Sequence, residues 1–369
     1  MAPGRAGKRA RLRVTVVGTT LLLAMAAMLF PIWAAGAAAQ PIGALAATPV
    51  CHAAGTTGLT AKVVAHSDEA ITGWINASGC DVGVYVGPGV THVLIDGATV
   101  LHANDHGIFV QDTWGVTIEN NKVVHNGVAP HTCGSPPCIA EDKAIQLAGT
   151  TGVIVRDNWV KNNFADGGIG ISDDGPLDPA ALNPGTLHAG TGNVVAYNDI
   201  INNAFGCGIV VASYNTGAGV GNNIVRGNLV VGNAPGTGPF VGGIVVAADT
   251  PGTLAWGNLV AHNTIYQSVI PGIVVHSNAP GDKVWNNTLR ANLISINGFE
   301  GPPNDPTVPT GIEVVAEAAP GMSNAPTLSN TTVVGNTVNH DAIGVWLCYD
   351  TNTQIIDLDG QATVSVETC

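Results

Sequence analysis

Apolar residues alternate in short runs along most of the chain. Ile209-x-Val211 and Ile244-x-Val246 sit inside the phrase GIVV, which starts at Gly208, Gly243 and Gly272. Related phrases, a small residue followed by apolar-x-apolar, start at Gly83, Gly107, Ala144, Gly168, Gly311 and Gly344. A second phrase alternates with the first. It opens with Asn121, Asn158, Asn198, Asn228, Asn263, Asn292 or Asn336, and its third residue is always β-branched: Val123, Val160, Ile200, Val230, Ile265, Ile294, Val338. Period-two alternation predicts strands with one buried face, and self-similarity at this spacing predicts a repeat architecture.

One coil cannot bury such a face alone, but stacked coils share a core. Successive copies then become parallel strands about 4.8 Å apart, and parallel crossovers are right-handed in nearly all proteins. The expected fold is all-β, a single right-handed parallel β-helix (solenoid) of about nine coils. The alternation places Ile108, Val110, Ile145, Leu147, Ile169, Ile171, Ile209, Val211, Ile244, Val246, Ile273 and Val275 inside. Asn and Gly between strands suit turns that need a left-handed backbone, and stacked Asn side chains can bond to one another along the axis. The expected divisions are 1–39 as a signal peptide or anchor, 40–82 as an N-terminal segment and cap, 83–347 as the β-helix, and 348–369 as a C-terminal cap. Periodicity leaves Leu59 to Ile75 open between helix and strand.

Composition fits that picture. With 46% hydrophobic residues, 11% charged and 48 glycines, the chain is built to pack rather than to stay disordered. The formal net charge is −13. Arg5, Lys8, Arg9, Arg11 and Arg13 all lie near the start; without them 8 basic residues face 26 acidic ones, near −18. That field disfavours nucleic acid.

The same basic stretch precedes an apolar run from Val14 to Trp33 and then Ala37-Ala38-Ala39. This reads as a secretory signal peptide, with an uncleaved membrane anchor as the other reading. Either way the protein is expected to be exported, secreted or at the cell surface, touching membrane only through an uncleaved leader. Export makes disulfides plausible: Cys51 with Cys80, Cys133 with Cys138, Cys348 with Cys369, leaving Cys207 as a buried thiol. A zinc site is the rival, but these spacings match no usual ligand pattern.

The phrases GVTIENNKVVHN, GVIVRDNWVKNN and GIVV are similar to the short repeats of right-handed parallel β-helix proteins of the pectin-lyase-like class. Such repeats also occur in periplasmic carbohydrate-binding and sugar-hydrolase-like proteins. The resemblance covers residues 80–347 and implies the same fold and a polysaccharide or cell-surface glycan as partner. Of the Asn-Thr-Asp, Asp-Asp, Gly-His-Gly and Arg-Ile-Lys elements of polygalacturonase-like hydrolases, only Asp173-Asp174 has a counterpart here. The Asp-Pro-His-Asp element of alginate epimerases is missing.

Ionisable residues gather where two insertions, about 127–142 and 173–190, flank adjacent coils. Loops on a rigid scaffold commonly carry function. His106, Glu141, Lys143 and Asp166 precede strands there, Asp112, Asp173 and Asp174 follow them, and Phe109, Gln146 and Gly170 face outward. Later coils read as bland, and His188, His262, His276 and the other scattered histidines as structural or solvent-facing. Asp112 and Asp173-Asp174 stand two coils apart, roughly 9–10 Å by strand spacing, bordering the carboxyl separation of inverting glycosidases. The expected catalytic set is Asp173, Asp174, Asp112 and Asp166. The expected substrate contacts are His106, Lys143, Gln146, Phe109 and Glu141. Three readings stand open: a β-helix that binds or cleaves a polysaccharide in the 105–190 groove, a non-catalytic adhesion or scaffold protein, and a calcium-dependent polyuronate lyase or epimerase. In the last, Asp173, Asp174 and Asp166 would hold Ca²⁺.

Overall fold

The computed structural model describes residues 50–368 except 56, 128–142, 165–166, 174–187, 205, 234–241, 269–270, 298–309, 318–322, 350–351 and 363. The regular elements among the described residues are all strands. They form sheets of 12, 10, 10 and 5 strands, each built from successive turns of one rising coil. One coil runs through Cys207–Ser213 in the first sheet, Val220–Gly221 in the short fourth, Ile224–Arg226 in the second and Leu229–Val231 in the third. It then returns to the first sheet at Ile244–Ala248. All pairings between coils are parallel; the antiparallel exception is His52–Ala53 against Thr60–Ala61 at the entrance.

Register follows the alternation. Ile108 pairs with Ile145, Ile145 with Ile169, and Ile169 with Ile209. Val211 continues to Val246 and Val275. All twelve residues expected inside are buried in one core that runs the length of the stack.

The two sequence phrases turn out to be one packing unit. A Cβ on Gly243 would lie 2.6 Å from Ile265 Cγ2 and 2.7 Å from the Gly272 carbonyl oxygen. Gly107 faces Val123, Gly168 faces Ile200, Gly208 faces Val230, Gly272 faces Ile294 and Gly311 faces Val338 in the same way. The glycine makes room for the β-branched residue of the Asn phrase, and neither phrase can change alone.

The asparagines form ladders. Asn121, Asn158, Asn198, Asn228, Asn263, Asn292 and Asn336 stack between the second and third sheets, all buried. Each Nδ2 donates to the next Oδ1 at 2.9–3.0 Å. Each backbone N–H also donates to that same oxygen, as Asn198 does to Asn228 at 3.0 Å. Asn126, Asn163, Asn203 and Asn233 build a second ladder. Asn193, Asn223, Asn258 and Asn287 build a third. Buried backbone donors at every turn thus find partners.

The coils extend beyond the expected boundaries. Thr60–Val64, Ala70–Ile71 and Trp74–Asn76 pair with the strands that follow, so the segment from Leu59 to Ile75 is strand and forms a first coil. Gln354–Ile356, Asp359–Gln361 and Val364–Thr368 continue the same sheets at the other end. The coil count is therefore nearer ten than nine. Cys51 and Cys80 are disulfide-bonded and pack with Ala77 and Ala103. Cys348 is disulfide-bonded as well; Cys369, Cys133 and Cys138 lie outside the described residues, as do residues 1–49, where a signal peptide or anchor is expected. Cys207 is a buried thiol that accepts the Gly242 N–H.

Candidate functional site

The outward face of the first sheet carries the residues singled out in the sequence. Coil by coil, one outward row reads Tyr85, Phe109, Gln146, Gly170, Val210, Val245, Val274, Glu313 and Trp346. Outward does not mean exposed here, because Phe109, Gln146, Val245, Val274 and Glu313 are all buried. This corrects the expectation of an open sheet floor. Phe109 belongs to a small apolar cluster with Ala54, Ala61, Val82, Tyr85 and Ala148, partly covered by Leu59. It supplies packing there rather than a sugar platform.

His106, Lys143 and Gln146 come together as a buried polar cluster. The His106 Nδ1 lies 2.9 Å from the Lys143 carbonyl oxygen, and its ring stacks on Phe109 with centroids 4.9 Å apart. Lys143 and Gln146 both lean over Gly170, where an added Cβ would lie 2.8 Å from Lys143 Cγ. The Gln146 Nε2 donates to Ser172 Oγ at 2.8 Å. The glycine is what leaves room for both side chains.

The carboxylates divide. Asp112 sits at the end of its strand with φ of 48°, in the left-handed region that Asp tolerates better than most residues. Its Oδ1 is 3.2 Å from His188 Nδ1, with the imidazole half exposed. Tyr85 donates to Gln111 Oε1 at 3.1 Å beside it. Burial, and then the charge of Asp112, push the Tyr85 hydroxyl up to about 12, so it stays a hydrogen-bond donor at neutral pH. His188 is 76 residues from Asp112 in the chain, and no local signal in the sequence joins the two.

Asp173 has a different setting. It is fully buried, and its carboxylate is directed at the following coil. It accepts Ser213 Oγ–H at 2.5 Å, Tyr214 N–H at 2.9 Å and Asn215 N–H at 3.2 Å. Both oxygens are occupied by donors, an environment suited to locking a turn rather than to ligating a cation. Among the described residues no group of three or more His, Cys, Asp or Glu is arranged to hold a metal ion. Asp166, Asp174 and Glu141 lie outside the described residues.

Burial pushes Asp173 from the ordinary 3.8 up to about 6, against the pull of those hydrogen bonds. Between these values the folded chain keeps a proton that the unfolded chain has released. Its contribution to stability is therefore full below pH 3.8 and falls as pH rises through about 6. The expected fall is about 3 kcal/mol. Asp173→Asn should remove it, which a comparison of melting temperatures of variant and wild type across pH 3 to 8 would reveal.

A second ionisable group lies further along the same face. His276 is buried, and desolvation pushes it down to about 4, opposed by the charge of Asp249. Asn278 Nδ2 donates to Asp249 Oδ1 at 2.9 Å. Burial, then Asp249, push Glu317 upward. Glu313 is buried between Val274 and Trp346 in the outward row. Between the two polar groups lies an apolar stretch formed by Cys207, Val210, Ala212, Val245, Ala247 and Val274.

A family model described as a right handed beta helix region matches residues 66–252. A search of curated proteins found no match. Among solved structures, the chain is similar to the family 28 exopolygalacturonase of Yersinia enterocolitica. There the identity is 12%, the coverage 78% of this chain and 44% of that one, and the TM-score 0.47. The chain thus spans less than half the length of that enzyme. It is also similar to PfbA, a surface adhesin of Streptococcus pneumoniae, at 14% identity, 80% and 71% coverage and a TM-score of 0.49. A third is an alginate lyase from Paenibacillus, at 13% identity, 83% and 88% coverage and a TM-score of 0.45.

Proposed function

The chain belongs to the right-handed β-helix family, and from that premise we propose that it is an exported protein that binds a polysaccharide on the outward face of its first sheet. The binding coils are those of His106, Asp112, Gln146 and Ser172. One observation carries this reading: polar side chains replace apolar ones on that face in these coils. Gln146 stands in a row that continues through Gly170 to Val210, Val245 and Val274, and Ser172 in one that continues to Ala212 and Ala247, before polar groups return in these rows at Glu313 and His276. A solenoid needs no buried polar cluster there to stack its coils, and burying one is costly unless every group is partnered. We read this cluster as serving recognition.

Within that face Asp112 is the carboxylate best placed to act. It is hydrogen-bonded to His188, and a carboxylate–imidazole pair can hold and pass a proton. If the glycan is cleaved, this pair is the acid–base machinery, with Tyr85 and Gln111 beside it to bind hydroxyls. Asp166 and Asp174 remain the proposed second carboxyl, since Asp173 is committed to its turn. Adhesion without turnover uses the same face, and calcium-dependent elimination would need the carboxylates near 166 and 174.

The test is a glycan array on the full chain, followed by reducing-sugar assays on the hits with and without EDTA. Asp112→Asn keeps the size and the tolerance for a left-handed backbone. It should weaken binding or turnover about tenfold or more, from loss of one charge-assisted hydrogen bond. Melting should change by no more than a few degrees. Unchanged binding and turnover in both Asp112→Asn and Gln146→Ala would refute the site.

A further inference from the structure

The third sheet carries an aromatic and cationic surface that the outward face of the first sheet does not use. Trp74 and Trp159 point out of this sheet at equivalent positions in the register, three coils apart, and both are exposed. The separation is about 14 Å by strand spacing. Lys122 lies directly before Trp159 in that row, and Lys161 lies in the row beside it. Their ammonium groups sit 5.7 Å and 5.5 Å from the Trp159 ring centroid. His102 and His125 line the edge, with centroids 6.3 Å apart.

Charge distribution makes the place unusual. The chain after its leader has only 8 basic residues against 26 acidic ones. Yet across the strands Trp74–Asn76, Thr99–Leu101, Lys122–Val124 and Trp159–Lys161 there is no carboxylate at all. The first acidic residue on the sheet is Asp199, one coil further on. At the neighbouring edge Glu119 is matched by Arg156, at 2.5 Å, Asp96 accepts Asn120 Nδ2–H at 2.9 Å, and Asp157 is exposed. These four strands thus carry two lysines, two indole rings and no carboxylate of their own.

We infer that this strip of the third sheet is a docking surface for an anionic polysaccharide, a chain bearing carboxylates or sulfates, laid along the solenoid axis. An indole face takes the apolar C–H face of a pyranose ring, excluding water from both. Lys122 and Lys161 hold their ammonium groups over the Trp159 ring, so this indole anchors the two charges that meet a sugar's carboxylate or sulfate, and the more exposed Trp74 is left to stack on a sugar face. An extended glycan running along the axis meets the same outward row once per coil, so one chain can engage both tryptophans. The class of ligand rests on the polysaccharide reading above; the face, the charge and the residues are separate from it.

The experiment uses the full chain and four probes: polygalacturonate, dextran sulfate, neutral dextran, and phosphatidylcholine vesicles containing phosphatidylglycerol. Binding is measured at low and high salt. The wild type should bind at least one of the two polyanions but neither dextran nor vesicles, with affinity falling as salt screens the lysines. Lys122→Gln with Lys161→Gln should weaken polyanion binding by about tenfold or more. Trp159→Ala should do the same, Trp159→Phe should restore most of it, and melting should stay unchanged because these side chains lie on the surface. Lys283→Gln, which removes an exposed lysine from the short fourth sheet, should leave polyanion binding intact. Equal loss in Lys283→Gln and in the lysine pair would overturn the assignment, as would preference for vesicles. Failure to bind either polyanion would overturn it too. A glycan-array hit abolished by Asp112→Asn would then still uphold the face of the first sheet.

Discussion

Asn198→Ala should lower the free energy of unfolding by about 4 kcal/mol, measured by chemical denaturation. The Asn198 side chain is fully buried and sits in mid-ladder. Its Oδ1 accepts Asn158 N–H and Nδ2–H, each at 3.0 Å. Its Nδ2 donates to Asn228 Oδ1 at 3.0 Å and to the Val155 carbonyl at 3.1 Å. Alanine leaves the Asn158 backbone donor, part of its amide and the Val155 carbonyl without these partners in the interior. An unsatisfied buried group costs about 1–3 kcal/mol, so the losses compound. The contrast is Asn120, which is exposed and donates only to the Asp96 carboxylate at 2.9 Å. Asn120→Ala should cost about 1 kcal/mol or less. Equal effects at the two positions would show that the ladder is not what holds the turns.

Gly243→Ala should cost about 3 kcal/mol, and Gly243→Val should prevent the chain from reaching a soluble folded state. A methyl at this position meets Ile265 Cγ2 at 2.6 Å, the Gly272 carbonyl at 2.7 Å and Ser268 Oγ at 3.2 Å. The first could rotate away, but the second is backbone of the next coil and belongs to the sheet. It accepts the Ile244 N–H at 3.0 Å. Interiors at close packing have no spare room to absorb such a shift. Ile265→Ala in the Gly243→Ala background should recover part of the loss, because it removes one of the two clashes. Soluble expression and thermal melting decide this, and an unperturbed Gly243→Val would contradict the packing unit.

These two rows explain why the fold was readable from sequence. In the coils of Gly107, Gly168, Gly208, Gly243, Gly272 and Gly311 the glycine and the β-branched residue face each other, so each of these repeats must restate both. Asn recurs for the same reason, since each side chain completes the turn of its neighbour. The candidate site was only partly readable. Alternation placed Phe109 and Gln146 on the outward face, yet it carries no information on what covers that face. Phe109 is buried partly through Ala54 and Leu59, which precede the first repeat phrase. Asp173 looked like a free carboxylate because its partners, Ser213 to Asn215, lie in the next coil, beyond an insertion. His188 and Asp112 meet across 76 residues, and a pairing made by the stacking of coils leaves no trace in local spacing. His276 is a similar case: its burial is a property of the stack, and its own phrase, IVVHS, reads like an ordinary surface strand end.

The longest asparagine ladder also has a direction. From Asn121 to Asn336, every side-chain carbonyl points back along the chain and every NH₂ points forward. Seven amide dipoles therefore lie head to tail in a buried, low-dielectric column, with the positive end at Asn336. Dipoles in series polarise one another, by an estimated 10–30% per hydrogen bond. An amide in the middle of the column is thus bound more tightly than the same amide at either end. The terminal coils lie beyond the column and lack its bonds, so fraying should begin there, reach the weaker bonds at Asn121 and Asn336, and travel inward, coil by coil.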